Sequence, residues 1–355
     1  MSLIVTDENL SSLDGYDLTG ITLLDCNKNH LESLPDLPDT LIELYCNENE
    51  LTELPDLKWQ CPVLEELYCT ENKLASLPNL PETLKKLDCT INSLTKLPTL
   101  PEMLKKLFCN LNQLTKLPEL EHCWDLQTIY CNQNRLKILP NLPSSLVDLS
   151  CSHNKLTLFP DLLRCKELET LHCSNNLLKT LPNLTHCKAL KYLSCYGNEL
   201  TLLPILPLSL ESLFCSNNNL TKLPILPWTL GRIESDFGND ADQIKCEQYN
   251  EAAEELRLPI LSLEDFTNTM TKENYEAVVY LDKAKQVRRF TDLAMTFPTL
   301  PPYLLAEIAY KESPTVPAFD VYQMGDFMAH TQKQATGRSN TTYKMKSKKY
   351  TTPIE

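Results

Sequence analysis

The sequence predicts a solenoid built on a parallel β-sheet, followed by a small helical region. Ten cysteines recur at intervals of 20, 22 or 23 residues. An asparagine follows each of them after three residues and a proline after nine, and leucine or isoleucine stands two and five residues before each. A period of this length indicates units that stack on their neighbours. The repeat cysteines are Cys26, Cys46, Cys69, Cys89, Cys109, Cys131, Cys151, Cys173, Cys195 and Cys215.

Each unit contains one short predicted strand that ends at its cysteine. The repeat reads LxxLxCxxNxLxxLPxL, and the alternation in LxC places leucine and cysteine on one face of the strand. Strands stacked about 4.8 Å apart then form a parallel sheet with a continuous leucine and cysteine core. We therefore interpret the repeat cysteines as small buried apolar side chains.

The conserved spacing of asparagine and proline predicts the rest of each unit. The asparagine amide can pair with backbone groups that the turn after the strand would leave unpaired. The proline fixes φ near −65° and favours an extended, polyproline-like return segment. Four returns are two or three residues longer, and there we predict a helical or 3₁₀ turn. Each of these carries an extra cysteine: Cys61, Cys123, Cys165 and Cys187.

Degenerate units are predicted at both ends of the array. Near the N-terminus, Leu3 and Val5 fit the strand positions, with valine in the place of the cysteine. Near residue 230, Ile233 and Ser235 fit one more strand before the pattern ends. We predict a solenoid over residues 1–240, with core repeats at about 21–228.

The C-terminal part of the chain has a different character. Residues 241–330 are predicted to form a small helical region, with helices at 242–256, about 272–296 after a Thr271 cap, and near 303–310. Residues 331–355 contain six basic residues and one acidic residue, a net charge of +5, and are predicted to be a disordered tail.

Composition excludes several classes of protein. Only 7 glycines occur among 355 residues, which disfavours glycine-rich phosphate loops, and the net charge of −14 disfavours general binding to nucleic acids or membranes. The N-terminus has no basic stretch typical of a signal peptide. Fifteen cysteines without such a signal predict reduced thiols and a cytoplasmic, intracellular location, including the cytoplasm or nucleus of a host cell.

The repeat unit is similar to a leucine-rich repeat, with cysteine in place of the usual third leucine. Short units such as LPDLPDTLIELYCNENEL resemble the LPxLP repeats of bacterial type-III-secreted effectors. The resemblance covers residues 1–240 and implies a leucine-rich-repeat solenoid of about 10–12 repeats. It implies a curved parallel sheet, an extended convex side, and a host-directed effector that binds proteins.

No catalytic, metal or cofactor site is predicted. The repeat cysteines point in parallel, whereas a metal centre needs ligands that converge. Cys246 lies outside the array, and some effectors with this repeat carry a ubiquitin-ligase domain that uses a Cys-x-Asp motif. Here the residues are Cys246, Glu247 and Gln248, so the aspartate is missing. The acidic surroundings also disfavour a thiolate.

The outer face of the sheet, opposite the core and predicted to be concave, is the candidate binding surface. An exposed aromatic row beside a row of Asn, Ser and Thr is typical of protein-binding surfaces; the alternative is that aromatic residues merely favour strands and stack. The predicted site residues are Tyr45, Tyr68, Phe108, Tyr130, His172, Tyr192, Tyr196 and Phe214.

We predict a non-enzymatic intracellular module that binds an unidentified protein partner through this face. One alternative is a cysteine-dependent ubiquitin ligase with a divergent C-terminal region that uses Cys246. A second is a nuclear or nucleic-acid adaptor that acts through the basic tail, which includes Lys344, Lys346, Lys348 and Lys349.

Overall fold

The structure is a computed structural model that describes residues 1–256, 260–272, 274, 275 and 279. In this part of the chain, twelve three-residue strands form one parallel sheet in chain order. They are β1 (Ser2–Ile4), β2 (Leu23–Asp25), β3 (Glu43–Tyr45), β4 (Glu66–Tyr68), β5 (Lys86–Asp88), β6 (Lys106–Phe108), β7 (Thr128–Tyr130), β8 (Asp148–Ser150), β9 (Thr170–His172), β10 (Tyr192–Ser194), β11 (Ser212–Phe214) and β12 (Arg232–Glu234).

The core of the solenoid is the column of leucines and cysteines that the repeat predicts. In β6, Leu107 is fully buried between exposed Lys106 and half-buried Phe108, and Cys109 directly after the strand is also fully buried. All ten repeat cysteines and the four extra cysteines of the long returns are buried in the same way. The predicted strand register and the interpretation of the cysteines as core residues are both confirmed.

The degenerate end units are real repeats. β1 pairs with β2 in parallel, and Val5 is buried in the place of the cysteine. At the other end β12 pairs with β11, and Ser235 takes the place of the cysteine. These two units complete the twelve strands, in agreement with the predicted 10–12 repeats.

Each of the four long returns contains either a helix or an i→i+3 hydrogen-bonded turn, in agreement with the predicted helical or 3₁₀ turns. Only one of the four forms a helix, α1 (Leu57–Gln60), in the 23-residue interval between Cys46 and Cys69. The three 22-residue intervals contain hydrogen-bonded turns, for example Cys123 N–H to Leu120 O at 3.0 Å.

Two further helices follow the repeats. The predicted helix at 242–256 is confirmed as α2 (Ala241–Leu256), whereas α3 (Leu263–Thr269) was not predicted. Thr271 accepts a hydrogen bond from the backbone N–H of Asn274 at 3.2 Å, as expected of the predicted cap. Most of the second predicted helix, the helix near 303–310 and the basic tail lie outside the described residues.

Residues 1–279 form one compact unit in which α2 contacts the last repeats. Gln248 of α2 accepts a hydrogen bond from Leu226 N–H and donates one to Pro224 O, both at 2.9 Å. Phe266 and Tyr275 pack against the ring of Trp228. The predicted boundaries at 240 and 330 stay predictions. None of the described helices is long and apolar enough to cross a membrane.

Candidate functional site

The outer sheet face consists of the side chains that alternate with the buried core positions. In every unit these are the residues three before, one before and one after the cysteine position. Because side chains of a strand alternate between faces, these three positions lie in a row on one side of the sheet. The parallel register then places equivalent residues of consecutive units side by side, for example Tyr45 beside Tyr68.

The predicted aromatic residues all lie on this face, but they are half-buried rather than exposed. Neighbouring strands bring equivalent side chains so close that each ring covers part of the next. Seven of the eight rings therefore fall into three groups of contacting rings: Tyr45 with Tyr68, Phe108 with Tyr130, and His172 with Tyr192 and Phe214. Buried Ser150 separates the second group from the third.

The first group is a parallel stack held by two carboxylates. The ring centroids of Tyr45 and Tyr68 lie 4.8 Å apart at an interplanar angle of 8°. Their hydroxyls donate to Glu43 Oε2 at 2.8 Å and to Glu66 Oε2 at 3.0 Å. Burial raises the pKa of both tyrosines, and the hydrogen bonds to the glutamates raise it further. Both phenols are therefore neutral donors at physiological pH.

The second group is an edge-to-face pair near the middle of the sheet. Phe108 and Tyr130 have centroids 5.2 Å apart at 76°. Burial, followed by the charge of Asp148, raises the pKa of Tyr130. Both rings stay partly exposed, which suits apolar contact with a partner.

The third group extends across three strands. The centroids of His172 and Tyr192 lie 4.6 Å apart, and those of Tyr192 and Phe214 lie 5.2 Å apart. The guanidinium of Arg232 covers the Phe214 ring at 4.8 Å. Burial lowers the pKa of His172, although Asp148 opposes this shift, so the imidazole is neutral at pH 7.

Tyr196 lies beside these groups and makes a polar contact. Its hydroxyl accepts a hydrogen bond from Asn175 Nδ2 at 2.8 Å. Asn175 Nδ2 also approaches His153 Nε2 at 3.1 Å. Tyr196 therefore belongs to a polar cluster at the border of the outer sheet face rather than to an aromatic stack.

The polar residues that directly follow the repeat cysteines connect neighbouring units, a role that the sequence did not reveal. In five units the side-chain oxygen of this residue accepts a hydrogen bond from the backbone N–H of the equivalent residue in the next unit. The donor–acceptor pairs are Asn47 to Asn27, Thr70 to Asn47, Asn132 to Asn110, Ser152 to Asn132 and Ser174 to Ser152, at 2.7–3.1 Å. These side chains are thus partly committed to the solenoid itself.

Comparison with known proteins agrees with this architecture. A family model described as Leucine Rich repeats (2 copies) matches residues 166–208. YopM from Yersinia pestis, described as a leucine-rich effector protein, is 36% identical with a TM-score of 0.53, and the alignment covers 66% of this chain and 77% of YopM. This chain belongs to the leucine-rich repeat family. A search of curated proteins finds no match.

Two other leucine-rich repeat structures are similar. YopM from Yersinia enterocolitica WA-314 is 35% identical with a TM-score of 0.60, and the alignment covers 64% of this chain and 49% of YopM. A leucine-rich repeat protein of Leptospira interrogans is 30% identical with a TM-score of 0.53, with coverage of 61% and 59%. This chain thus spans about half the length of the Y. enterocolitica protein.

Cys246, the one cysteine outside the leucine-rich repeats, is buried on α2. Its Sγ lies 3.7 Å from Leu261 O and 3.6 Å from Asn250 Nδ2. Burial raises the pKa of this thiol, and the charge of Glu247 raises it further, although Asn250 opposes the shift. A raised pKa keeps the thiol protonated, whereas a nucleophile needs the thiolate. These surroundings support a packing role for Cys246.

Within the described residues, no group of three or more His, Cys, Asp or Glu side chains is arranged to hold a metal ion. In the leucine-rich repeats, histidine directly precedes cysteine three times, at His122–Cys123, His172–Cys173 and His186–Cys187. The first pair shows why such neighbours do not form a metal site. Cys123 is fully buried in the core, whereas Nε2 of His122 lies 2.8 Å from Leu100 O. Adjacent side chains therefore point to different surroundings instead of one centre.

Proposed function

We propose that this leucine-rich repeat protein is a non-enzymatic module that binds a protein partner through its outer sheet face. The observation that carries the proposal is the set of three groups of contacting aromatic rings, half-buried and aligned along one face of the sheet. Stacking fixes each ring before binding, so a partner that contacts it loses little additional side-chain freedom. Aromatic side chains held in this way are the usual centres of binding energy in protein interfaces.

The similarity to YopM supports a more specific setting. Two YopM proteins, of which the one from Y. pestis is described as a leucine-rich effector, share 35–36% identity with this chain over about two-thirds of its length. We extend the proposal to an effector-like role inside a host cell, where fifteen thiols stay reduced. The partial coverage of YopM from Y. enterocolitica keeps this role a proposal.

An affinity experiment with the full chain tests the proposal. The variant Phe108→Ala/Tyr130→Ala removes the second aromatic group, and proteins retained from a host-cell extract should fall by about tenfold or more, because hot-spot truncations cost about 2 kcal/mol each. The control is Trp59→Ala/Trp124→Ala. These rings are 77% and 70% exposed and lie on return segments.

The control also tests the opposite side of the solenoid. If the tryptophan variant loses the retained protein while Phe108→Ala/Tyr130→Ala keeps it, binding occurs through the return segments and the proposal is wrong. Circular dichroism of each variant shows whether the fold is intact, which is needed because Phe108 and Tyr130 are half-buried.

A further inference from the structure

We propose that a basic and apolar patch on β5–β7, which includes part of the outer sheet face, binds an acidic segment of a protein partner. This inference rests on the proposed function, because Lys106, Phe108 and Tyr130 of the patch belong to the outer sheet face, and its other residues border that face. The patch is formed by Lys105, Lys106, Phe108, Tyr130, Ile91 and Leu111. It joins two uncompensated positive charges at one end of the strands to apolar side chains at the other.

Lysines next to this patch show how the solenoid normally compensates a charge. Lys85 contacts Glu65, and Lys86 contacts Glu66, each with N···O at 2.6 Å. In each pair the glutamate is the equivalent residue of the preceding unit, and Lys191 pairs with Glu169 by the same rule at 2.9 Å. Opposite charges in neighbouring strands stabilise the sheet, whereas like charges destabilise it.

Lys105 and Lys106 depart from this pattern. On one side they face Lys85 and Lys86, which already contact the two glutamates. On the other side the next unit offers uncharged Gln127 and Thr128. Within the described residues, no carboxylate lies within 4.0 Å of either ammonium group. Two lysines stacked on two others are unfavourable in the free protein, and carboxylates from a partner would relieve that repulsion.

Apolar side chains continue the patch along the same strands. Phe108 follows Lys106 by two residues on the same face and packs against Tyr130. Beyond the strand ends, Ile91 and Leu111 are each 41% exposed. They are neighbours, because Asn92 N–H donates to Leu111 O at 3.3 Å.

Ile91 and Leu111 are unusual for their position. Both have left-handed backbone, with φ of 53° and 52°. The equivalent position in the other eight cysteine units holds polar residues or glycine: Lys28, Glu48, Glu71, Gln133, His153, Asn175, Gly197 and Asn217. Two exposed apolar side chains at a strained position, in consecutive units beside uncompensated lysines, are typical of a contact surface rather than of a stabilising arrangement.

The local net charge indicates the chemistry of the partner. Residues 83–117 contain six lysines and two acidic residues; with Glu65 and Glu66, which pair with Lys85 and Lys86, 6 − 4 gives a net charge of +2, in a chain with a net charge of −14. A nucleic acid would contact a longer basic surface and would be repelled by the acidic remainder of the chain. A short protein segment with carboxylates at one end and an apolar side chain at the other matches both the charge and the size of the patch.

Fluorescence anisotropy with the full chain tests this inference. The probe is a fluorescein-labelled peptide of twelve residues in which four consecutive glutamates precede a leucine and a phenylalanine. The variant Lys105→Glu/Lys106→Glu should weaken peptide binding by about tenfold, because it replaces attraction by repulsion. The variant Leu111→Asn should weaken it too, but should not affect a peptide in which serine replaces the leucine and the phenylalanine.

The matched control is Lys166→Glu/Lys188→Glu, which makes the same change in net charge at exposed turn positions. It should leave the affinity within about twofold, since charges beyond about 10 Å are screened in salt. Equal losses in both double variants, no peptide binding, or tighter binding of a single-stranded RNA of the same length would each overturn the inference. If Phe108→Ala/Tyr130→Ala releases the protein retained from the host-cell extract whereas Lys105→Glu/Lys106→Glu keeps it, the proposed function stands and this inference fails.

Discussion

Asn112 and Cys89 join two neighbouring units through a buried side-chain hydrogen bond. Asn112 Nδ2 donates to the carbonyl oxygen of Cys89 at 2.9 Å, and Asn112 Oδ1 accepts from the N–H of Leu94 at 2.9 Å. Asn112 is only 8% exposed. Every asparagine of the column makes the same two kinds of contact with the preceding unit, so a second line of bonds runs beside the sheet. These asparagines are Asn29, Asn49, Asn72, Asn92, Asn112, Asn134, Asn154, Asn176, Asn198 and Asn218.

The first prediction concerns this column. Asn112→Leu keeps a similar volume but removes the acceptor of Leu94 N–H and a donor to the carbonyls of Cys89, Cys109 and Asn110. We expect the free energy of unfolding to fall by about 2–4 kcal/mol, because buried polar groups lose their partners. Urea denaturation followed by circular dichroism measures the change.

Asn219→Leu is the control, because Asn219 is exposed and its side chain makes no hydrogen bond within the described part of the chain. It should change the free energy of unfolding by less than about 0.5 kcal/mol. Asn110→Leu should lie between the two. The sequence predicts an exposed Asn110, but its Oδ1 accepts hydrogen bonds from Asn132 N and Nδ2. Equal effects of Asn112→Leu and Asn219→Leu would contradict the role of the column.

The hydrogen bonds of Asn110 are a kind of contact that the repeat pattern does not predict. The period placed Leu107, Cys109 and Asn112 correctly, because the alternation of side chains along the strand and the turn after it recur in every unit. The contacts of Asn110 and the stacking of Phe108 on Tyr130 depend on the distance between units and on side-chain rotamers. The same aromatic residues at these positions are compatible with a row of half-buried rings and with a row of exposed rings. The repeat pattern alone therefore does not predict the side-chain contacts between neighbouring strands.

The second prediction concerns the left-handed backbone two residues after each cysteine. Ile91→Asn should raise the free energy of unfolding by about 0.5–1 kcal/mol, because a β-branched residue in this conformation is strained by about 1–2 kcal/mol and asparagine tolerates it. The sequence did not reveal this position, since few glycines or asparagines mark it. Thermal and urea unfolding of the purified variant measure the gain.

Ile138→Asn is the matched control for Ile91→Asn. Ile138 is also exposed, but it is not among the residues with positive φ. Its replacement should change stability by less than about 0.5 kcal/mol. If both variants gain equally, the gain comes from the loss of an exposed apolar side chain and not from relief of strain. Ile91→Asn should also weaken binding of the acidic peptide, since Ile91 belongs to the proposed patch.

The third prediction concerns the pH dependence of stability. Burial raises the pKa of the core thiols, to about 12 for Cys131 and Cys173 and to about 11 for Cys123 and Cys165. Well below the ordinary thiol pKa of about 8.5, the thiols are protonated in both states and contribute no pH dependence. Above it the unfolded chain releases protons that the folded chain retains. The free energy of unfolding should then fall by about 1.4 kcal/mol per pH unit for each such thiol.

Urea titrations between about pH 8 and 10 measure this slope below the ordinary pKa of tyrosine. Thiolate absorbance should appear together with the loss of circular dichroism, because the thiols ionise only on unfolding. The variant Cys123→Ala/Cys165→Ala should be less stable at neutral pH, yet its slope should be smaller by about 2.7 kcal/mol per pH unit. Thiolate formation in the folded protein at pH 9 would show that the core thiols are accessible.

The last prediction concerns the contact between α2 and the end of the solenoid. Gln248 pairs with Leu226 N–H and Pro224 O, and Tyr275 donates to Leu226 O at 2.9 Å. Gln248→Ala leaves an N–H and a carbonyl of the last return without their side-chain partner, at a cost of about 1–3 kcal/mol.

Gln243→Ala on the same helix is the control, because exposed Gln243 contacts only Glu247 with its side chain among the described residues. In a stack of units the terminal unit opens first, so hydrogen exchange should rise at residues 224–234 in Gln248→Ala and stay unchanged around β6. Equal exchange in both variants would show that α2 does not hold the last repeat in place.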